Sequence, residues 1–210
     1  MEGPAIPRAG EAPGQGVAWD RERDMTILST AHGRLSVRVR VLERILHMFS
    51  RVERLEDNFE ALLDAVLDAI PAEAASILLA DPDAGELVFV AARGPVAQRI
   101  LGLRMKLADG LAGECVRQGR ALAVSDVQRD ARYARAISDS LGFETRSLIA
   151  VPLLHAGEIF GAIEIVNRRG GDVFPRSELE FLDRIGRAGG SLVHLSRLLQ
   201  SSPPPPDPAP

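Results

Sequence analysis

The chain has 210 residues, 46% of them hydrophobic and 26% charged, which is the composition of a soluble globular protein with one domain and extensions. The formal net charge of −4 argues against a dedicated nucleic-acid-binding protein, because such proteins usually carry a basic face. The single cysteine, Cys115, excludes an internal disulfide and a multi-cysteine zinc site, and no apolar run approaches the roughly 20 residues that span a bilayer, so we expect a cytoplasmic protein with no membrane partner.

Glycine and proline are concentrated at the two ends of the sequence. Residues 1–19 can bury little apolar surface and are expected to form a disordered tail. Residues 20–54 are interpreted as a linker followed by a basic, coiled-coil-like helix. Residues 200–210 form a proline-rich tail that favours extended polyproline II.

Two apolar series with alternating steps of three and four residues predict one long helix over residues 35–70, and a step of three from Phe49 to Val52 joins them. At 1.5 Å per residue this helix would be about 54 Å long, so we expect part of it to project and pair with another helix. The alternative is a helix that covers only its own domain. The apolar positions are Leu35, Val39, Leu42, Leu46, Phe49, Val52, Leu55, Phe59, Leu62 and Val66.

Arginine dominates the first half of this predicted helix. A solvated charged face is the default interpretation, and a surface for an acidic protein partner is the alternative. The basic residues are Arg34, Arg38, Arg40, Arg44, Arg51 and Arg54.

A strand-rich region follows. Residues 76–91 read as a hairpin, since Pro and Gly mark a turn between two apolar runs. Residues 103–107 alternate apolar and basic side chains, which predicts a half-exposed strand. A short helix is expected from Asp109 or Gly110 to Gln118, and a short strand over residues 121–124.

The C-terminal half contains an irregular polar stretch, two strands and a final helix. Short helical turns are expected within residues 126–146, strands over residues 146–154 and 159–166, and a helix over residues 176–199 that Gly189-Gly190 weakens. The chain is therefore predicted to be an α+β domain, with a central antiparallel sheet of about six strands flanked by helices.

Six segments together resemble the GAF domain family, and the resemblance covers residues 55–199. It implies a GAF-like fold in which the long N- and C-terminal helices form a dimer bundle. Members of the family bind very different ligands, so the resemblance does not identify one. The segments are Gly110–Val116, Gly119–Leu122, Ser125–Val127, Arg146–Leu153, Gly157–Asn167 and Phe174–Leu182.

A structural signature of cyclic-nucleotide-binding GAF domains is only partly kept. Asn167 and Phe174 match it, Arg168 replaces a lysine, Glu178 stands where an aspartate is expected, and Leu179 stands where a glutamate is expected. In the family the lysine–aspartate pair bridges structural elements, and Arg168 with Glu178 could do the same. The departures argue against a cyclic nucleotide as the ligand. We expect no cofactor, and a cyclic nucleotide stays the alternative.

The resemblance also implies a ligand cavity between the sheet and the short helices of residues 109–146. Tyr133 and Phe143 could instead plug this space as core aromatics. The ligand-binding residues implied are Leu111, Cys115, Asp126, Tyr133, Phe143, Arg146 and Ser147, with Leu107, Val124 and Ile163 as further wall positions.

No catalytic residue or metal site is expected. One GAF branch reduces free methionine sulfoxide, but that cycle needs resolving cysteines, and Cys115 falls on an apolar helix face. The histidines do not cluster in the sequence, and His155 is expected to be exposed in a hairpin turn; the others are His32, His47 and His194.

These observations predict a non-catalytic sensor domain that binds a small molecule or a partner protein of a signalling pathway and forms a homodimer through its terminal helices. The first alternative is a ligand-free interaction module that uses the basic helix. The second, less favoured alternative is a methionine sulfoxide reductase.

Overall fold

The computed structural model describes residues 55–201, together with Val39 and Glu43, which are helical. The predictions for residues 1–19, for the basic part of residues 20–54 and for the tail from residue 202 onwards lie outside the described residues.

The centre of the domain is one antiparallel sheet of six strands, which confirms the predicted fold class. Its spatial order is β3-β2-β1-β6-β5-β4, so the first strand, β1, and the last strand, β6, pair in the middle of the sheet. The strands are β1 (Ala72–Asp81), β2 (Glu86–Arg93), β3 (Arg104–Lys106), β4 (Leu122–Val124), β5 (Leu148–His155) and β6 (Glu158–Arg168).

Among residues 55–201, five helices and one 3-10 turn surround the sheet. The predicted helix ending at Gln118 is present, and Gly119 stops it in a left-handed conformation with φ of 64°. The four-residue helix α2 was not predicted, because one turn has no periodicity to detect. The elements are α1 (Leu55–Ala69), α2 (Ala97–Ile100), α3 (Gly110–Gln118), the 3-10 turn Val127–Arg129, α4 (Arg135–Leu141) and α5 (Arg176–Ser201).

Two apolar cores lie on opposite faces of the sheet. Helices α1 and α5 cover one face, where Leu62, Ile163 and Leu182 are fully buried. Helix α3 covers the other face against β5 and β6, in a core that also contains Leu87 and Phe89 of β2. Burial of this apolar surface is the main stabilising contribution to the fold. None of the described helices combines the length and apolarity that crossing a membrane requires.

Glycines in α5 let the helix lie directly on the backbone of β5. A Cβ at Gly186 would approach the carbonyl oxygen of Pro152 to 2.5 Å, and a Cβ at Gly190 would approach the backbone of Leu154 to 2.6 Å. The sequence suggested that Gly189-Gly190 weakens the middle of the helix. The structure gives them a packing role instead, because only a residue without a side chain fits this close contact.

Replacing Gly190 by alanine is therefore expected to destabilise the domain by about 1–3 kcal/mol, the usual cost of overpacking. Helix propensity alone predicts the opposite sign, a gain of about 1 kcal/mol. Urea unfolding measures the difference. Arg184→Ala, at an exposed position of the same helix, is the control and should stay within about 0.5 kcal/mol of the parent. A stabilised Gly190→Ala variant would contradict the packing role.

Candidate functional site

A cavity of about 100 Å³ lies between the sheet and the segments that carry α2, the start of α3, and α4. Its walls are mainly apolar. The apolar side chains that line it include Phe89, Ile100, Met105, Leu111, Ile137, Leu141, Phe143, Leu148 and Val166.

The floor of the cavity is a row of cross-strand neighbours on β2, β1 and β6. Ser76 lies directly opposite Ala92 on one side and Glu164 on the other. Directly paired residues of antiparallel strands project to the same face, so the three side chains form one row. The small side chains of Ala92 and Ser76 leave open space beside the carboxyl group of Glu164, and all three line the cavity.

Glu164 is a carboxyl group in an apolar environment. Its residue is 9% exposed, and burial raises its pKa to about 7, while a hydrogen bond with Ser76 acts in the opposite direction. No ion pair to Glu164 is present among residues 55–201. The group can therefore change charge near neutral pH inside the cavity.

Sequence reasoning missed Glu164. The signal was present: a lone charged residue in the apolar run of residues 159–166, at an even position where Ile163 and Ile165 occupy the odd ones. Period-two alternation places it on the face opposite those isoleucines. Ile163, expected on the cavity wall, belongs to the core under α1 and α5.

Three of the predicted ligand-binding residues line the cavity: Leu111, Tyr133 and Phe143. The hydroxyl of Tyr133 lies 2.6 Å from that of Ser138 in α4, which fixes the aromatic ring at the wall. The cavity remains open beside both aromatic rings, so they form its walls rather than filling it.

The other four predicted residues do not line the cavity. Cys115 is fully buried within the α3 core, and burial raises the pKa of its thiol to about 12. Asp126 points outward, with its side chain 51% exposed and 3.2 Å from Arg129. Ser147 is fully buried, and its Oγ accepts a hydrogen bond from the backbone N–H of Arg168.

Arg146 also lies outside the cavity, because two carboxylates hold it at the surface. Its guanidinium is 2.8 Å from Glu73 and 3.4 Å from Asp172. Hydrogen bonds from Arg146 and Asn167 hold the pKa of Glu73 below its usual value. The wall positions Leu107 and Val124, expected from the resemblance, are likewise absent from the lining.

Asn167 connects β6 to the start of β1 and to the loop that precedes β5. Its Oδ1 accepts the backbone N–H of Arg146 at 2.7 Å, and its Nδ2 donates to Glu73 at 2.8 Å and to the carbonyl of Glu144 at 2.7 Å. The residue is fully buried with φ of 56°, a conformation that asparagine tolerates better than most residues. Asn167 therefore fixes the loop that carries Thr145, a cavity-wall residue.

The remaining signature residues link β6 to α5. Arg168 binds Glu178 with two hydrogen bonds of 2.9 and 3.1 Å, the bidentate arrangement that gives the strongest pairing. Phe174 is buried in the core under α1 and α5. The structure thus brings together the pair expected to bridge structural elements.

The histidines of the described residues form a pair that the sequence did not indicate. The rings of His155 and His194 stack with centroids 4.6 Å apart, and Nδ1 of His155 lies 2.8 Å from the hydroxyl of Ser191. His155 is half-buried, so the expectation that it is exposed was wrong. Across residues 55–201, no group of three or more potential metal-ligating side chains is found. His32 and His47 lie outside the described residues.

Comparisons with known proteins agree on one family. The sequence model of the GAF domain family matches residues 53–194. The solved GAF domain of a phosphoenolpyruvate-protein phosphotransferase from Coxiella burnetii superposes with a TM-score of 0.70 and 21% identity, over 79% of this chain and 97% of that chain. A free methionine-R-sulfoxide reductase from Neisseria meningitidis superposes with a TM-score of 0.64 and 21% identity, over 76% of this chain and 89% of that one.

Curated relatives match over shorter stretches. A probable 3',5'-cyclic phosphodiesterase of Caenorhabditis elegans is 24% identical over 96 residues, which are 46% of this chain and 13% of the relative. A dual 3',5'-cyclic-AMP and -GMP phosphodiesterase of Drosophila melanogaster is 25% identical over 73 residues, 34% of this chain and 5% of the relative. The chain thus spans a small part of each of these two proteins.

Proposed function

Because this chain belongs to the GAF domain family, we propose that it is a non-catalytic sensor domain that binds a small molecule in the cavity beside Glu164. GAF domains occur in signalling proteins such as the phosphodiesterases that this chain resembles. In this proposal the chain forms a homodimer through its terminal helices and passes its signal to another protein of the pathway.

The observation that carries the proposal is the character of the cavity. Small-molecule sites combine predominantly apolar walls with a few fixed polar groups, and this cavity has apolar walls, the hydroxyls of Ser76 and Tyr133, and the carboxyl of Glu164. An apolar cavity of about 150 Å³ is large enough to hold benzene. A volume of about 100 Å³ therefore suits a ligand of a few non-hydrogen atoms.

The contacts around the cavity offer a route to α5. Thr145 lies on the wall, and its neighbour Glu144 accepts a hydrogen bond from Asn167. Arg168, which follows Asn167 in β6, is bound to Glu178 in the first turn of α5. A ligand that moves the loop at Thr145 would thus change the position of α5 through two consecutive residues of β6.

A panel of neutral, anionic and cationic small metabolites tests ligand binding. A ligand at about 100 times its dissociation constant should stabilise the protein by about 2.7 kcal/mol, which thermal unfolding detects. Ala92→Leu places added side-chain volume at the cavity floor and should abolish the shift. Ala123→Leu, at an exposed position of β4, is the matched control and should retain it. If Ala92→Leu fails to fold, Ala134→Leu takes its place, because it adds side-chain volume at the opposite wall.

Two results would contradict this function. A flat panel with a folded protein favours the ligand-free interaction module, for which Arg38, Arg44 and Arg51→Glu should weaken capture of a partner. A thermal shift that survives both Ala92→Leu and Ala134→Leu would place the ligand elsewhere.

The absence of catalysis in this proposal rests on Cys115. A thiolate is the nucleophile in disulfide exchange, and a thiol with a pKa of about 12 is almost entirely protonated at neutral pH. Cys115 is also buried and does not line the cavity. Thiol-dependent reduction of free methionine sulfoxide by the purified chain, lost in Cys115→Ser, would overturn this part of the proposal.

Support for the dimer comes from the end of α5. Leu195 and Leu199 are 39% and 50% exposed, four residues apart on one face of the helix. Sedimentation velocity of the full chain should give a dimer, and the double variant Leu195→Glu with Leu199→Glu should give a folded monomer. A dimer that survives both changes would exclude this face.

A further inference from the structure

The geometry points to a small organic cation as the ligand class: an alkyl ammonium or amidinium whose charged nitrogen lies against the Glu164 carboxylate while its apolar body fills the cavity. This inference rests on the proposed function, since it names the chemistry of the ligand that the same cavity takes.

Among residues 55–201, Glu164 is the only acidic side chain on the cavity wall. Its position at the floor, beside Ala92 and Ser76, faces the open volume rather than a neighbouring side chain of opposite charge. The hydroxyl of Ser76 is a single neutral partner, whereas an ionised carboxylate can accept about four hydrogen bonds. A ligand with several N–H donors supplies the contacts that the described wall residues do not give.

Arg93 is the one basic side chain on the described part of the cavity wall, and it is already engaged in ion pairs. Its guanidinium lies 2.6 Å from Asp64 and 3.1 Å from Glu60, both on α1, and it also donates to the carbonyl of Ala92. Two carboxylates thus neutralise Arg93 at the edge of the cavity. The charge of Glu164 is left to be balanced by the ligand.

The apolar walls favour an organic cation over a strongly hydrated ion. Removing a charge from water is costly unless an opposite charge meets it at hydrogen-bonding distance. An alkyl ammonium offers both a charge opposite to that of Glu164 and an apolar body that matches the walls. Its nitrogen pairs with Glu164, and its carbons contact Phe89, Ile100 and Leu111. The volume of about 100 Å³ suits a ligand body of about five or six non-hydrogen atoms.

The charge state of Glu164 makes this recognition dependent on pH. A cation binds the ionised carboxylate, and burial places the pKa of Glu164 at about 7 in the folded chain. Binding should therefore weaken about tenfold for each pH unit below that value. The other titratable groups on the described cavity wall are Arg93 on β2 and Tyr133 on the loop before α4. Cys115 on α3 does not line the cavity, but burial and the charge of Glu164 raise the pKa of its thiol, which stays protonated over this range.

The test uses three probes of matched size: n-butylammonium, 1-butanol and butyrate. Each is titrated into the full chain at pH 8 and followed by backbone amide NMR. n-Butylammonium should bind at least ten times more tightly than 1-butanol, with the largest shifts at Ser76, Ala92 and Glu164, and at pH 5 its affinity should fall about a hundredfold. Glu164→Gln should abolish the preference over 1-butanol.

Glu158→Gln is the matched control, because it makes the same change on the same strand at an exposed side chain. It should leave n-butylammonium binding unchanged. Equal or tighter binding of 1-butanol or butyrate in the cavity overturns the cation inference and leaves the sensor function standing. If none of the three probes and no member of the metabolite panel binds, both are overturned.

Discussion

Replacing Glu164 by glutamine is expected to stabilise the ligand-free protein by about 3 kcal/mol at pH 8 and to leave its stability nearly unchanged at pH 4. Burial raises the pKa of this carboxyl from 4.5 in a model peptide to about 7 in the folded chain. The folded state therefore holds the proton more tightly than the unfolded state does. The stability that the neutral carboxyl contributes is complete below pH 4.5 and is lost as pH rises through 7.

Urea unfolding of the parent and of Glu164→Gln from pH 4 to pH 8 measures this difference. Glutamine has nearly the same shape, can accept the hydrogen bond from Ser76 and does not ionise, so the difference between the two curves isolates Glu164. Glu73, whose pKa is lowered, changes stability in the opposite direction but contributes equally to both proteins. Glu158→Gln should follow the parent curve. Parallel curves for parent and Glu164→Gln would show that the carboxyl is not buried as described.

The sheet was predictable because its signals are local. The hairpin of β1 and β2 has a Pro–Gly turn between two apolar runs, and β6 with α5 shows the periods of a strand and a helix. The antiparallel sheet and the closing helix follow from these patterns. None of this requires knowledge of which residues meet across the molecule.

The cavity was only partly predictable, because its composition depends on the face that each strand residue takes. A shift of one residue along a strand changes the face, and the expected wall position Ile163 and the observed one, Glu164, differ by that single step. The sequence presents Asp126 and Arg146, at the two ends of the stretch 126–146, as polar groups that could bind a ligand. In the structure each is paired with a charge at the surface, and no local pattern reveals those partners.

The loop at residues 143–147 depends on a residue about twenty positions away in the sequence, Asn167. Replacing Asn167 by alanine is expected to destabilise the domain by about 4 kcal/mol. The change removes hydrogen bonds to the backbone N–H of Arg146 and to the carbonyl of Glu144, and each buried polar group left without a partner costs about 1–3 kcal/mol. It also places alanine at φ of 56°, which costs about 1 kcal/mol more. Chemical denaturation measures the total.

Two further variants at Asn167 separate the backbone contribution from the hydrogen bonds. Asn167→Gly removes the same side chain but tolerates the positive φ, so it should be about 1 kcal/mol more stable than Asn167→Ala. Asn167→Asp keeps the acceptor for Arg146 but turns the donor into a second oxygen, 2.8 Å from Glu73. It should be as destabilising as alanine at pH 8 and less so at low pH, where protonation restores a donor. If Asn167→Asp were as stable as the parent, Asn167 would act as an acceptor alone. The connection from the cavity wall at Thr145 through Asn167 to α5 would then lose its first hydrogen bond, the one that Asn167 donates to the carbonyl of Glu144.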